Sequence, residues 1–375
     1  MDLDAAREVF ATSQDLTVGI EEEWALIDPG TLELVPKFEA LRDDGANDPV
    51  LAEAISGELI SSEIEIRSGR GEDVQHALQL QREARRRLFA LADAHGVGLA
   101  STGTHPLSDY REQHIIDTAH YHRVRDGLQY VARRNNTFAL QVHVGVRGGD
   151  RAIQACDRLR PILPILLAIS ANSPFVDGQD SGLHSARTQT FTKSFPRCGV
   201  PDPFGSWQAW QDYVQLLLDT NSIVEYTQLW WSVRAHHAYG TIEVRICDAQ
   251  TTAGEADGLV ELIVACVAQA LREIDAGETP PAVPGRLIEE NMWRALRFGQ
   301  DGRLLDLEAP RIHEYPAAEA LERLNAWTGA NVALPALNGA QRQRRMIDAG
   351  ATPYEVFKQC VEETRATYPA QERVP

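Results

Sequence analysis

Four short segments of this 375-residue chain put acidic, imidazole or guanidinium groups at every second position. In GIEEEWALI, Glu21 and Glu23 alternate with Ile20, Trp24 and Leu26, and Glu22 takes the apolar parity. In SSEIEIR, Glu63, Glu65 and Arg67 alternate with Ile64 and Ile66. QVHVGV gives His143 the parity of Gln141 and Gly145, and TIEVRIC gives Glu243 that of Arg245. Side chains alternate faces along a strand, so each segment has one face fit for a core and one carrying Glu, His or Arg. Taken singly, each is a half-exposed strand with a solvated face. Four together, with glycine and small residues beside them, point to a shared basin. Two carboxylates about 5 Å apart repel by roughly 3 kcal/mol at an effective dielectric near 20. Such a basin must take up protons or cations. Carboxylate oxygens are hard ligands, so the expected ions are Mg²⁺ or Mn²⁺ and the expected chemistry is that of a metal–phosphate site.

Other residues fit less well. Glu58 lies seven positions before Glu65, an odd offset that turns it to the opposite face of a regular strand. Spacing alone makes it a surface residue unless a bulge intervenes. His120 and His122 are two apart on an expected helix and point to different sides, while His236 and His237 read as solvated loop residues. The run Arg85-Arg86-Arg87 reads as an exposed helix face. Trp207, Trp210, Trp230 and Trp231 read as core or rim packing, and Cys247 as a buried thiol. No P-loop, G-x-G-x-x-G, H-E-x-x-H or G-x-S-x-G string occurs.

The elements that must position these groups come next. GVGLAS and IVEYTQLWWSVR read as further strands, and TLELVP as the returning strand of a hairpin after Asp28-Pro29-Gly30. Helical spacing runs over 72–95, stopped by Gly96, and over 120–135, 151–171 and 253–275. The polar stretch SANSPFVDGQDSGLHSARTQTF is too long for a mere connection, which marks it as functional. DAGETPPAVPG is the best linker candidate, and beyond it only helical patterns appear. Strands and helices do not alternate strictly, so an α+β domain with a large antiparallel or mixed sheet is favoured. Hydrophobic residues make up 43% and charged residues 24%, a globular composition. The 54 acidic against 36 basic residues give −18, which argues against nucleic-acid and membrane-surface partners. Five scattered cysteines without a C-x-x-C pair argue against a disulfide framework or structural zinc. MDLDAAREVF lacks the pattern of a signal peptide and no apolar stretch reaches spanning length, so the chain reads as soluble and cytoplasmic.

GIEEEWALID, GTHP, QVHVGV, SANSPFVDGQDSG and TIEVRICDAQ, in that order, resemble the type-2 glutamate–cysteine ligase family of carboxylate–amine ligases. The resemblance covers about residues 16–365. It implies a fold like that of the glutamine synthetase and guanido kinase superfamily: a curved, mainly antiparallel sheet with helices on its convex face and metal-bound ATP on its concave face. It implies that 1–375 is a single catalytic domain with a C-terminal helical layer over about 287–375. By this resemblance Glu21, Glu23, Glu65, His143 and Glu243 are metal ligands, and Glu58 matches a further ligand position that parity alone denies it. Arg245 would contact the transferring phosphate, and Arg187 and Lys193 would be substrate or phosphate contacts.

The implied reaction is ATP-dependent formation of a γ-glutamyl amide from glutamate and cysteine or another amine, through an acyl phosphate, with magnesium (or manganese). Two other readings keep the residues and change the role: a guanido kinase-like phosphotransferase, or a non-catalytic nucleotide- or amino-acid-binding regulator. Intact Glu21, Glu23, His143, Glu243 and Arg245 argue against the last. The amine acceptor, the number of ions and the assembly state, homodimer included, stay open at this level.

Overall fold

Strand Val18–Ile27 runs through the middle of a seven-stranded sheet in the computed structural model, which describes residues 3–279 and 282–369. Its neighbours are Ala139–Gly145 on one side and Glu63–Arg67, with the short Gly98–Ala100, on the other. Thr241–Asp248 and then Val233–His236 extend the sheet beyond Ala139–Gly145, and Ile55–Ser56 closes the opposite edge. Every pairing is antiparallel.

Alternation decides which face does what. Ile20, Trp24, Ile64, Ile66, Val142, Val144, Ile242 and Val244 all enter one buried cluster. Helices Val74–Ala94, Gly149–Leu159, Leu163–Ser170 and Ala253–Asp275 cover that face. The two longest begin at side-chain caps: Asp73 accepts from the His76 N–H, and Thr252 from the Glu255 N–H. The other face of the sheet keeps the Glu, His and Arg side chains. This is the expected α+β arrangement. No helix among the described residues is long and apolar enough to cross a membrane.

Several elements differ from expectation. The turn at Asp28 forms, its carboxylate accepting from the Gly30 and Thr31 N–H groups, but TLELVP returns only as a single bridge between Ile27 and Leu34. ELISSEIEIRSG is a strand only over Glu63–Arg67, and IVEYTQLWWSVR breaks into a 3₁₀ turn, Trp230–Trp231 and Val233–His236. The helix expected over 151–171 divides at Arg160–Ile162, where Pro161 has no N–H to continue the ladder. A hairpin, Arg303–Asp306 with His313–Pro316, stands among the C-terminal helices, where only helical patterns were expected. Pro280 and Pro281 of the expected linker lie outside the described residues.

Arg85 corrects the reading of the Arg85-Arg86-Arg87 run. Arg86 and Arg87 do pair with Glu83 near the surface. Arg85 is instead fully buried, gripping Glu22 through two 2.7 Å hydrogen bonds and Asp257 through a third. The odd Glu22, which takes the apolar parity of its strand, is the reason.

Candidate active site

Strand register brings the polar groups together. His143 lies directly opposite Glu243 on one side and Gly19 on the other, while Glu21 pairs with Gln141 and Arg67, and Glu23 with Glu65. The ligand atoms of Glu21, His143 and Glu243 fall within 4.8 Å of one another, and so do those of Glu23, Glu58 and Glu65. The glycine opposite His143 keeps space: a Cβ on Gly19 would stand 3.4 Å from the His143 Cβ.

His143 is aimed by a single hydrogen bond. Its Nδ1 lies 2.9 Å from Thr241 Oγ1, which leaves Nε2 pointing between the carboxylates, 3.4 Å from Glu21 and 3.9 Å from Glu243. That buried Nε2 has no hydrogen-bond partner among the described residues. An imidazole fixed through one nitrogen, with the other free among carboxylates, has the arrangement of a metal-ligating histidine. Glu23 is held by the Ala139 N–H (2.6 Å) and Gln141 Nε2 (2.7 Å). Glu243 accepts from Arg234 Nε at 2.6 Å and from Arg245.

Glu58 belongs to the site despite its odd offset. Residues 57–62 form a loop and not a strand, so parity does not run from Glu65 back to Glu58. The chain bends there and returns Glu58 to Glu23 and Glu65.

The two triads differ in charge. Burial would raise the pKa of Glu243, but Arg234 and Arg245 hold it well below the usual carboxylate range. Burial is likewise overcome at Glu21, chiefly by His143, and at His143 by Glu243 and Glu21, which keep the imidazole protonated more readily than usual. The Glu23 cluster runs the other way. Burial and the Glu23 charge push Glu58 up to about 8, and burial with neighbouring carboxylates raises Glu65 and Glu63 well above normal. Glu23 itself is raised by burial despite Arg187 and Arg245. Without a cation this cluster must hold protons, which a divalent ion would displace. The donor sets therefore fit hard ions.

A cavity of about 300 Å³ opens over these groups, and Arg245 and Arg187 line it. Asp248, fully buried one strand residue beyond Cys247, accepts from Asn172 N (2.8 Å), Ser173 Oγ (2.7 Å) and Ser185 Oγ (2.9 Å). It thereby pins both arms of the long polar loop and the short helix Ala186–Thr190, which carries Arg187. Lys193, expected to join Arg187, does not line the cavity; it ion-pairs with Glu289.

The histidines also need correction. His236 ends a strand, half-buried, with its ring 5.3 Å from that of His143, and it lines the cavity; His237 packs on Tyr226. His120 is exposed but sits on the cavity rim. Trp230 lines the cavity, whereas Trp207, Trp210 and Trp231 are buried. Arg234 was not singled out by the sequence. Its only signal is its pairing opposite Glu243, which no spacing within one strand displays. A second cavity, about 650 Å³, shares Glu21, Arg67, His143 and Tyr239 with the first.

Proteins of known structure share this fold. The chain superimposes on a bifunctional glutathione synthetase from Pasteurella multocida with a TM-score of 0.68 over 97% of its length, at 13% identity, and spans 53% of that longer chain. With the glutamate–cysteine ligase of Francisella tularensis in complex with AMP the TM-score is 0.64, at 13% identity, covering 96% of this chain and 91% of that one. At such identities the likeness is one of fold. The family model of glutamate-cysteine ligase family 2 matches residues 17–366. Two Rubrobacter xylanophilus proteins, provisionally named glutamate–cysteine ligases 2-2 and 2-1, are also similar. The first is 40% identical over 319 residues (84% of this chain, 81% of that one), the second 38% over 363 residues (93% and 95%). The chain belongs to glutamate–cysteine ligase family 2.

Proposed function

We propose that this chain is an ATP-dependent carboxylate–amine ligase that joins the side-chain carboxylate of glutamate to cysteine or another amine. The observation that carries the reading is the meeting, in one cavity, of the Glu21–His143–Glu243 and Glu23–Glu58–Glu65 triads beside Arg245. The fold likeness to an AMP-bound ligase and the family's name support nucleotide use and ligation.

A carboxylate resists attack by an amine because it is anionic and has no good leaving group. In the first step its oxygen attacks the γ-phosphorus of ATP, and ADP departs. In the second the amine nitrogen attacks the acyl carbon, the carbon–oxygen bond breaks, phosphate leaves and the nitrogen loses a proton. The two triads would hold Mg²⁺ or Mn²⁺, which would neutralise phosphate charge and fix the geometry of transfer. Arg245, kept cationic by Glu243, stabilises charge on the migrating phosphoryl group. The 650 Å³ cavity takes the nucleoside end, because it meets the triads only through Glu21 and His143.

The whole chain acts as one catalytic unit in this reading. Helix Gly285–Phe298 packs on Leu163–Ser170 and helix Pro353–Thr367 on Gly98–Ala100, which supports including the C-terminal layer. Incubating the protein with ATP, Mg²⁺, glutamate and a pool of amines, and reading products by mass spectrometry, tests the proposal. A γ-glutamyl amide formed in step with ADP is expected; ADP release with a phosphorylated product and no amide would overturn it.

A further inference from the structure

Three buried polar atoms in the smaller cavity are left without partners by the ion triads. Glu63 is 1% exposed, faces the cavity from the same side of its strand as Glu65, and its Oε2 has no hydrogen-bond partner among the described residues. Gln141 is 2% exposed; its Nε2 is committed to Glu23, so its orientation is fixed and its Oε1 is left over. Arg187 is 4% exposed; it donates to the Ile246 and Arg245 carbonyls at 3.1 Å and lies 3.7 Å from the Asp248 carboxylate, while its Nε has no hydrogen-bond partner among the described residues.

Unpaired polar atoms this deep are costly unless a ligand completes them. Their chemistry divides cleanly: two acceptors, one of them a carboxylate, and one cationic donor. Glu63, Gln141 and Arg187 all line the same cavity. A metal ion satisfies the acceptors but not the guanidinium, and a phosphate satisfies the guanidinium but offers no donor to the Glu63 and Gln141 oxygens. A group with an ammonium and a carboxylate on one carbon satisfies both.

We infer that Glu63, Gln141 and Arg187 form a recognition site for the α-amino-acid head group of a substrate, with Glu63 and Gln141 taking the ammonium and Arg187 the carboxylate. This rests on the ligase reading above, and specifically on the nucleoside occupying the other cavity. Both amino acids in the reaction carry such a head group, and the experiment separates them.

Binding is measured by calorimetry on the full chain with Mg²⁺ and a non-hydrolysable ATP analogue. One arm compares L-glutamate with glutarate, and the other L-cysteine with 3-mercaptopropionate. Each pair differs only by the ammonium. In one arm the wild type should favour the amino acid by about tenfold or more, and E63Q should lose that preference. The arm in which this happens identifies the substrate. Preference unchanged in E63Q, or absent from the wild type in both arms, would overturn the site. Nucleotide binding is read in the same titrations, so a failed nucleotide reading is distinguishable from a failed head-group site. If E63Q does not fold by circular dichroism, Glu63→Asp, which retracts the carboxylate, is expected to show the same loss in the same arm.

Discussion

Glu65 shows most plainly what the site asks of a single residue. It is buried among Glu21, Glu58 and Glu23, and burial with their charge holds its proton on well above the usual range. Glu65→Gln copies the protonated acid in shape and charge. The metal-free variant should therefore match the wild type in melting temperature at neutral pH and exceed it only at the higher pH where Glu65 loses its proton. Amide formation in the mass-spectrometric assay should nonetheless fall by about a hundredfold or more, as for loss of other electrostatic groups at phosphoryl-transfer sites. A variant both stable and fully active would remove Glu65 from the site. Glu243→Gln is the less clean probe, since it strips Arg234 and Arg245 of their shared partner. Glu21, Glu23, Glu65, His143, Glu243 and Arg245 were legible because a period of two is written within each strand. Arg234 was not, because its relation to Glu243 exists only across strands. Glu58 was misjudged on spacing, since parity presumes a strand that residues 57–62 do not form.

At the scale of elements, the strand bearing Glu21 and Glu23 is fastened from behind. Glu22 between them points away from the cavity into Arg85, which also holds Asp257 on helix Ala253–Asp275 and lies 4.9 Å over the Tyr368 ring. One clasp thus ties the strand bearing Glu21 and Glu23 to two helices and to Tyr368, which follows helix Pro353–Thr367. Arg85→Met would leave Glu22 and Asp257 buried and uncompensated, so it should cost about 3–5 kcal/mol in urea unfolding; a cost under about 1 kcal/mol would show that the clasp is not structural. The sequence displayed the long helices and the core strands, whose apolar periods are unbroken. It overstated strands wherever a half-buried apolar run met a turn, as in TLELVP and IVEYTQLWWSVR. The Arg85 run looked exposed because a buried ion pair leaves no mark on one helix alone.

Over the whole molecule, part of the excess of acid is gathered in the two clusters of the cavity. In the folded, metal-free protein Glu58 keeps its proton up to about pH 8, whereas an unfolded chain releases it near 4.5. The stability this contributes is complete at acid pH and is lost as pH rises through about 8. Glu21 and Glu243 are shifted the opposite way, and their contribution is lost as pH falls below the ordinary carboxylate range. His105 and His184, buried and lowered to about 4, add a further loss below about pH 6.5. Divalent ions compete with the protons on Glu58 and Glu65, so stabilisation by Mg²⁺ should grow with pH. Thermal melts in chelator and in millimolar Mg²⁺ should diverge from about pH 6 to about pH 8.5; parallel curves would mean that the clusters do not bind the ion.

The most direct measurement is anomalous diffraction from crystals grown with Mn²⁺ and a non-hydrolysable ATP analogue. The account predicts manganese peaks within both triads, one among Glu21, His143 and Glu243 and one among Glu23, Glu58 and Glu65, with phosphate oxygens beside them. Nucleotide bound elsewhere on the molecule, with both triads free of manganese at saturation, would contradict it.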